Sequence, residues 1–145
     1  MDDLAPKRAR RLDAGLRTIL AAGFSVEGDY VLLARHAPTA PAPRHSIFGD
    51  DVGYEGAVNH VHVEREVTTL RGRWNPGAHA VAYALALATQ LESSFPETAF
   101  DVWATGGAEE TWIVRFHRAS AEGGGSWLGS VEDIDDAALV AEVRP

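Results

Sequence analysis

Two histidines and a glutamate stand close together in the pattern His60-x-His62-x-x-x-Glu66. Alternate residues of a β-strand point to the same face, so a strand here would place both imidazoles and the carboxylate on one side of a sheet. Imidazole and carboxylate groups are ligands of divalent transition metals. The pattern therefore makes His60, His62 and Glu66 candidate ligands of one divalent transition metal, with His79 or His117 as a further ligand.

The same pattern resembles the first motif of the cupin barrels, in which two histidines and a glutamate bind a metal. The resemblance implies that His60, His62 and Glu66 are ligands, and residues 76–79 loosely resemble the second cupin motif. The other interpretation is that the two histidines lie on the exposed face of an ordinary sheet, because short metal-like patterns often arise by chance. In that case the protein needs no cofactor.

A second set of residues suits protein recognition. Asp50, Asp51 and Glu55 are acidic residues of one segment, Trp74 follows two arginines, and Asp135 lies in an acidic stretch near the C-terminus. Carboxylates complement a basic partner, and tryptophan is enriched at protein interfaces. These five residues are therefore the candidate partner-binding residues, although acidic residues at such positions more often belong to a solvated loop or a helix start, and Trp74 is equally suited to cap the core.

Composition excludes several classes of function. The chain has 145 residues, 13 basic and 21 acidic residues, a formal charge of −8 and no cysteine. The absence of cysteine removes disulfides, thiolate metal sites and cysteine nucleophiles. The negative charge disfavours nucleic acid, and no run reaches the roughly 20 apolar residues of a membrane helix, so we expect a cytoplasmic protein without a membrane partner.

Hydrophobic patterning predicts alternating helices and strands. Apolar residues recur at helical spacing in the first and fifth segments, and they alternate with polar residues at 57–69. Proline and glycine mark the loops. The predicted segments are a helix at 3–22, a hairpin at 24–35, a Pro-rich and acidic loop at 37–56, a strand at 57–69, a helix from Pro76 to Phe95, a hairpin at 99–118, a Gly-rich loop at 119–130 and a helix at 133–143.

Helical spacing also predicts which face of the 76–95 helix is buried. Val81 and Leu85 fall on the predicted inner stripe together with Leu91, whereas Tyr83 falls on the outer face. A helix rich in alanine can pack closely against a sheet. We therefore expect this helix to cover the sheet.

These elements predict one α+β domain spanning residues 1–145, with a single antiparallel or mixed sheet covered by helices. The predicted element order is α-β-β-β-α-β-β-α. This order resembles the small acidic chaperones of bacterial type III secretion. That resemblance implies a dimer that holds a secreted protein partner.

No motif pairs a nucleophile with a base, and no cofactor fingerprint is complete, so the sequence favours a protein that is not an enzyme. The predicted function is a small acidic protein-binding module of the chaperone, adaptor or toxin-neutralising immunity type. Its partner would be another protein, a basic one by charge, or a second copy of the chain. The alternative is a metal-dependent binding protein or enzyme that uses His60, His62 and Glu66.

Overall fold

The computed structural model describes residues 12–43, 51–68, 76–106, 111–119 and 137–145, with backbone alone at 51–52 and 137–140. Within these residues the protein has an α+β fold with two antiparallel sheets. One sheet is the pair β1-β2, and the other has the strand order β3-β5-β4-β6. The elements are α1 (Ala14–Ala22), β1 (Phe24–Glu27), β2 (Tyr30–Leu33), a short 3₁₀ turn (Ala37–Thr39), α2 (Asp51–Val58), β3 (His60–His62), α3 (Val63–Glu66), α4 (Pro76–Ser94), β4 (Phe100–Thr105), β5 (Ile113–Arg118) and β6 (Ala137–Val143).

Helix α1 has the boundaries that its capping residues dictate. The Asp13 carboxylate accepts a hydrogen bond from the Gly15 amide at 2.8 Å, as an N-cap does. Gly23 ends the helix with a φ of 73°, a conformation that glycine adopts without strain. The predicted helix is confirmed at 14–22 and is wrong at Leu12 and Asp13, which precede α1; residues 3–11 lie outside the described residues.

Both predicted hairpins are present. In the first, Phe24 pairs with Leu33 and Glu27 with Tyr30. The turn between these strands contains Gly28 at a φ of 61°. In the second hairpin β4 and β5 run antiparallel, and β3 adds to the outer side of β5.

The predicted loop at 37–56 and the predicted strand at 57–69 are each confirmed only in part, and residues 44–50 and 69 lie outside the described residues. Residues 51–58 form helix α2, the strand is limited to His60–His62, and residues 63–66 form the helical turn α3. Gly53 and Gly56 lower the helix propensity of α2, which hides this helix from sequence analysis. Packing against β2 and β5 stabilises it, because Glu55 and Asn59 hydrogen-bond to the first of these strands and Glu55 to the second.

The predicted C-terminal helix at 133–143 is wrong over its described part. Residues 137–143 form strand β6, which pairs antiparallel with β4 from Ala137 opposite Thr105 to Val143 opposite Phe100. A short helix is marginal by itself, whereas the free edge of β4 offers a row of backbone hydrogen-bonding groups. The described residues therefore form two sheets rather than one, and the last described element is a strand.

Helix α4 ends one residue before Phe95 and two before Pro96, as expected, but a different face is buried. Tyr83 is fully buried, whereas Val81 and Leu85 are 42% and 51% exposed. The many alanines of α4 give it a weak hydrophobic stripe, so the space for the Tyr83 ring decides its rotation. The sheet, α1 and α4 enclose the main core, whose largest side chains include Leu16, Ile19, Tyr83, Leu87, Leu91, Phe100 and Phe116.

Candidate functional site

A pocket of about 340 Å³ opens beside β3. Its polar lining consists of six residues, which we call the histidine pocket: His36, Thr39, His60, His62, Arg65 and Glu66. Apolar atoms of Ala40, Pro41 and Val58 contribute to its walls. The volume falls in the range of about 300–1,000 Å³ that is typical of small-molecule sites.

Strand β3 presents two of the three imidazoles. His60 and His62 alternate with Val61, which is buried in the core, so both histidines lie on the opposite face. Their ring centroids are 5.1 Å apart with the planes nearly perpendicular. The turn after β2 brings in His36, whose ring centroid is 6.2 Å from that of His60.

Backbone carbonyls determine which nitrogen of two rings carries a hydrogen. His36 Nδ1 lies 2.9 Å from the Val58 carbonyl, and His60 Nδ1 lies 2.6 Å from the Ala57 carbonyl. A carbonyl only accepts, so Nδ1 is the donor in both rings and Nε2 holds the lone pair of the neutral form. Neither Nε2 atom makes a hydrogen bond within the described ranges.

Burial and neighbouring positive charge favour the neutral imidazoles on β3. Burial lowers the pKa of His60 most, and Arg115 and His36 lower it further, against a smaller rise from the Ala57 hydrogen bond. Burial followed by the positive charge of Arg65 lowers the pKa of His62. The buried Nδ1 atom of His62 has no hydrogen-bond partner among the described residues.

Glu66 does not lie on the same strand as His60 and His62, as the predicted metal site requires. Glu66 lies on α3 rather than on β3, and its Oε2 atom is 2.6 Å from Arg35 Nη1. It lines the pocket, but its carboxylate is engaged by a guanidinium. Across the part of the chain that the structure describes, no three His, Asp or Glu side chains are placed to hold one metal ion.

The two further histidines do not contribute to the pocket. His79 lies in the first turn of α4, where the cupin resemblance requires a strand. His117 is fully buried, and its Nε2 atom accepts a hydrogen bond from the Trp103 indole at 3.2 Å. Its Nδ1 atom donates to the Arg118 carbonyl at 2.8 Å, so both ring nitrogens of His117 are used in the core.

Among the predicted partner-binding residues, Glu55 is buried, so the prediction that it binds a partner is wrong. Its side chain is 1% exposed and paired with Arg118, so it cannot meet a partner at the surface. Asp51 begins α2, but its side chain is not described. Asp50, Trp74 and Asp135 lie outside the described residues.

The pocket lining also carries a hydroxyl group. Thr39 is the one hydroxyl residue of its lining, and its hydroxyl donates to the His36 backbone carbonyl at 3.3 Å instead of to a base. His36 was missed by sequence analysis, since it stands 24 residues before His60 and only the turn after β2 brings the rings together. No local sequence signal marks it.

None of the described helices combines the length and the apolar character needed to cross a membrane.

In comparisons with known proteins, no curated protein and no solved structure matches the chain significantly. A family model matches residues 3–144. The chain therefore belongs to the Uncharacterized protein PM0498 family.

Proposed function

We propose that this protein is a non-catalytic binding protein whose ligand site is the histidine pocket. One observation carries the proposal: three imidazoles from two separate segments line a single pocket. Two of these rings are oriented by hydrogen bonds from Nδ1 to backbone carbonyls. Such fixed rings with unengaged Nε2 atoms can contact a ligand at little cost in side-chain entropy.

Polar groups at a concave, partly apolar surface are the usual composition of a ligand site. Covalent catalysis by a hydroxyl would require a base beside it, and Thr39, the one hydroxyl residue of the lining, donates to the His36 backbone carbonyl instead. Binding is therefore the activity that the pocket chemistry supports.

The proposal is tested by observing the histidine ring signals by NMR while simple probes are added. Sulfate, acetate and zinc chloride represent an oxyanion, a carboxylate and a transition metal. At least one probe should shift the His36 and His60 signals and raise the melting temperature. The His60→Gln variant should lose that response, and His79→Gln should retain it, because His79 does not line the pocket.

A second candidate function is protein binding of the chaperone, adaptor or immunity type. One observation favours it: Val81 and Leu85 are exposed one turn apart on α4. Neighbouring apolar side chains on a helix surface are typical of an interface. We take the partner on this face to be a second copy of the chain.

Sedimentation equilibrium tests this second candidate. The wild-type protein should form a dimer, and Val81→Ser with Leu85→Ser should yield a monomer. Val26→Ser is the matched control, since Val26 is an apolar residue that is 61% exposed on β1 rather than on α4. A monomeric wild-type protein, or a dimer that survives the double substitution, would exclude α4 as the interface.

A further inference from the structure

Positive charge is concentrated around the histidine pocket, although the chain as a whole is acidic. Arg65 lines the pocket and makes no ion pair or hydrogen bond within the described ranges. Arg115 lies directly opposite His60 in the β3–β5 ladder. The charges of both guanidinium groups lower the pKa of His60, after the larger effect of burial.

Of the two nearby carboxylates, Glu66 has an ion-pair partner, whereas Glu64 is bonded through one oxygen alone, since its buried Oε2 atom has no partner among the described residues. The Glu66 carboxylate pairs with Arg35 at 2.6 Å, and Glu64 Oε1 accepts a hydrogen bond from the Trp112 amide at 2.6 Å. The charged and titratable groups around His60 in the described residues are thus Arg35, His36, His62, Glu64, Arg65, Glu66 and Arg115. With neutral histidines their sum is one positive charge.

Protonation changes what two of the imidazoles can do. Because Nδ1 of His36 and of His60 already donates to a carbonyl, a second proton can be added only at Nε2. Each ring that is protonated takes one proton from solvent, and its Nε2 atom changes from an acceptor to a donor. The carbonyl on Nδ1 remains satisfied in both states.

We propose that the histidine pocket binds an oxyanion, either a phosphoryl or a carboxylate group, which accepts hydrogen bonds from protonated Nε2 atoms of His36 and His60 and pairs with Arg65. This inference rests on the proposed function of the pocket. A bound anion offsets the repulsion between the imidazolium groups and the arginines, so binding and proton uptake are coupled. Charge-assisted hydrogen bonds of this kind are stronger than neutral ones.

The same surroundings disfavour a metal cation. Arg65 and Arg115 repel a divalent ion, and Arg35 engages the one carboxylate among the pocket residues. The described side chains also contain no group of three placed to hold a metal.

Sulfate is the first probe, because its charge is constant over the range in which histidine titrates. Binding is followed by the His36 and His60 ring signals at several pH values between about 5.5 and about 8. Calorimetry in buffers of different ionisation enthalpy counts the protons taken up. Acetate replaces sulfate in a parallel titration, and the tighter of the two anions identifies the phosphoryl-like or carboxylate class.

The inference predicts that anion affinity increases as the pH falls, by about tenfold per pH unit for each proton taken up. His60→Gln and Arg65→Gln should each weaken binding by about tenfold or more, the factor that one charge-assisted interaction contributes. His79→Gln should bind as the wild-type protein does.

The outcomes separate the inference from the function on which it rests. Anion binding that is independent of pH, or unchanged in His60→Gln, would overturn proton-coupled recognition. Binding of zinc but of neither anion would overturn the oxyanion while leaving the pocket as a ligand site. If none of the three probes shifts the pocket histidines, both the inference and the proposed function fail.

Discussion

Glu55 and Arg118 form a largely buried ion pair, with 3.0 Å between Glu55 Oε1 and Arg118 Nε. The glutamate side chain is 1% exposed and the arginine side chain 29% exposed. Glu55 also accepts hydrogen bonds from the backbone amides of Val31 and Arg118. One carboxylate therefore links α2 to both β2 and β5, and so attaches the two-stranded sheet to the larger one.

Replacing Glu55 by glutamine should lower the free energy of unfolding by about 2–4 kcal/mol, because Arg118 loses its buried counter-charge. The matched control is Glu66→Gln, which removes the more exposed pair with Arg35 and should cost about 0–1 kcal/mol. Urea unfolding of the two variants measures the difference. Equal losses would mean that burial of the Glu55 pair has no energetic consequence.

The Asn59 side chain hydrogen-bonds to two backbone groups of β2. Its Oδ1 atom accepts from the Leu33 amide at 2.9 Å, and its Nδ2 atom donates to the Val31 carbonyl at 2.7 Å. Asn59→Ala should destabilise the fold by about 2–4 kcal/mol, because two buried backbone groups lose their partners. Hydrogen exchange should show faster exchange at the Leu33 amide.

Thr89→Ala is the control for Asn59, since it removes an exposed hydrogen bond to Leu85 and should change stability by about 0.5 kcal/mol or less. Asn59→Asp adds a second test. Aspartate can accept from Leu33 but cannot donate to Val31, so its effect should be at least as large. A stable Asn59→Ala variant with an unchanged Leu33 amide would contradict this role.

Two buried tyrosines differ in the partners of their hydroxyl groups. The Tyr83 hydroxyl has no hydrogen-bond partner in the described part of the chain, and burial raises the pKa of Tyr83. The Tyr54 hydroxyl donates to the Pro41 carbonyl at 2.7 Å. Removing an unsatisfied buried hydroxyl should stabilise a protein, whereas removing a bonded one should cost about 0.5–1.5 kcal/mol.

Tyr83→Phe should therefore raise the melting temperature, and Tyr54→Phe should lower it. Both substitutions remove one oxygen and keep the ring, so the two changes in melting temperature, measured by calorimetry, can be compared directly. A loss of stability in Tyr83→Phe would show that its hydroxyl has a partner outside the described residues.

The histidine pocket should make stability depend on pH. Burial and nearby positive charge lower the pKa values of His60 and His62 below 6.5 in the folded chain. The unfolded chain then takes up these protons first, so the free energy of unfolding falls as the pH drops from about 6.5 to the folded pKa. Urea unfolding over this pH range measures the decline.

The variant His60→Gln with His62→Gln should have a flatter profile over the same range, because these two proton-uptake sites are absent. His79→Gln should keep the wild-type slope. A double variant with an unchanged slope would assign the pH dependence to other groups.

Local patterns were sufficient where the local signal is strong. Gly23 ends α1 because a positive φ is a conformation that glycine adopts readily. The start of α1 after Asp13 was not predicted, because the helical spacing continues back to residue 3. Short connections between β-prone runs likewise predicted both hairpins. The position of His60 and His62 on one strand face followed from alternation over three residues.

Patterns failed where another element decides the conformation. Residues 137–143 favour a helix by composition, yet they pair with the free edge of β4. Glu55 belongs to an acidic segment in the sequence, yet Arg118 and two backbone amides hold it in the interior. Neither partner is near in sequence, so neither outcome could be predicted from local propensity.

The sequence by itself determined the α+β class, the end of α1 at Gly23, the end of α4 before Pro96 and the strand pairing within both hairpins, because these depend on interactions a few residues apart. Only the tertiary structure decided the rotation of α4, the burial of Glu55 and the meeting of His36 with His60. All three features depend on packing between segments that are far apart in the sequence. The candidate site is of this second kind, since it exists only where the turn after β2 packs beside β3.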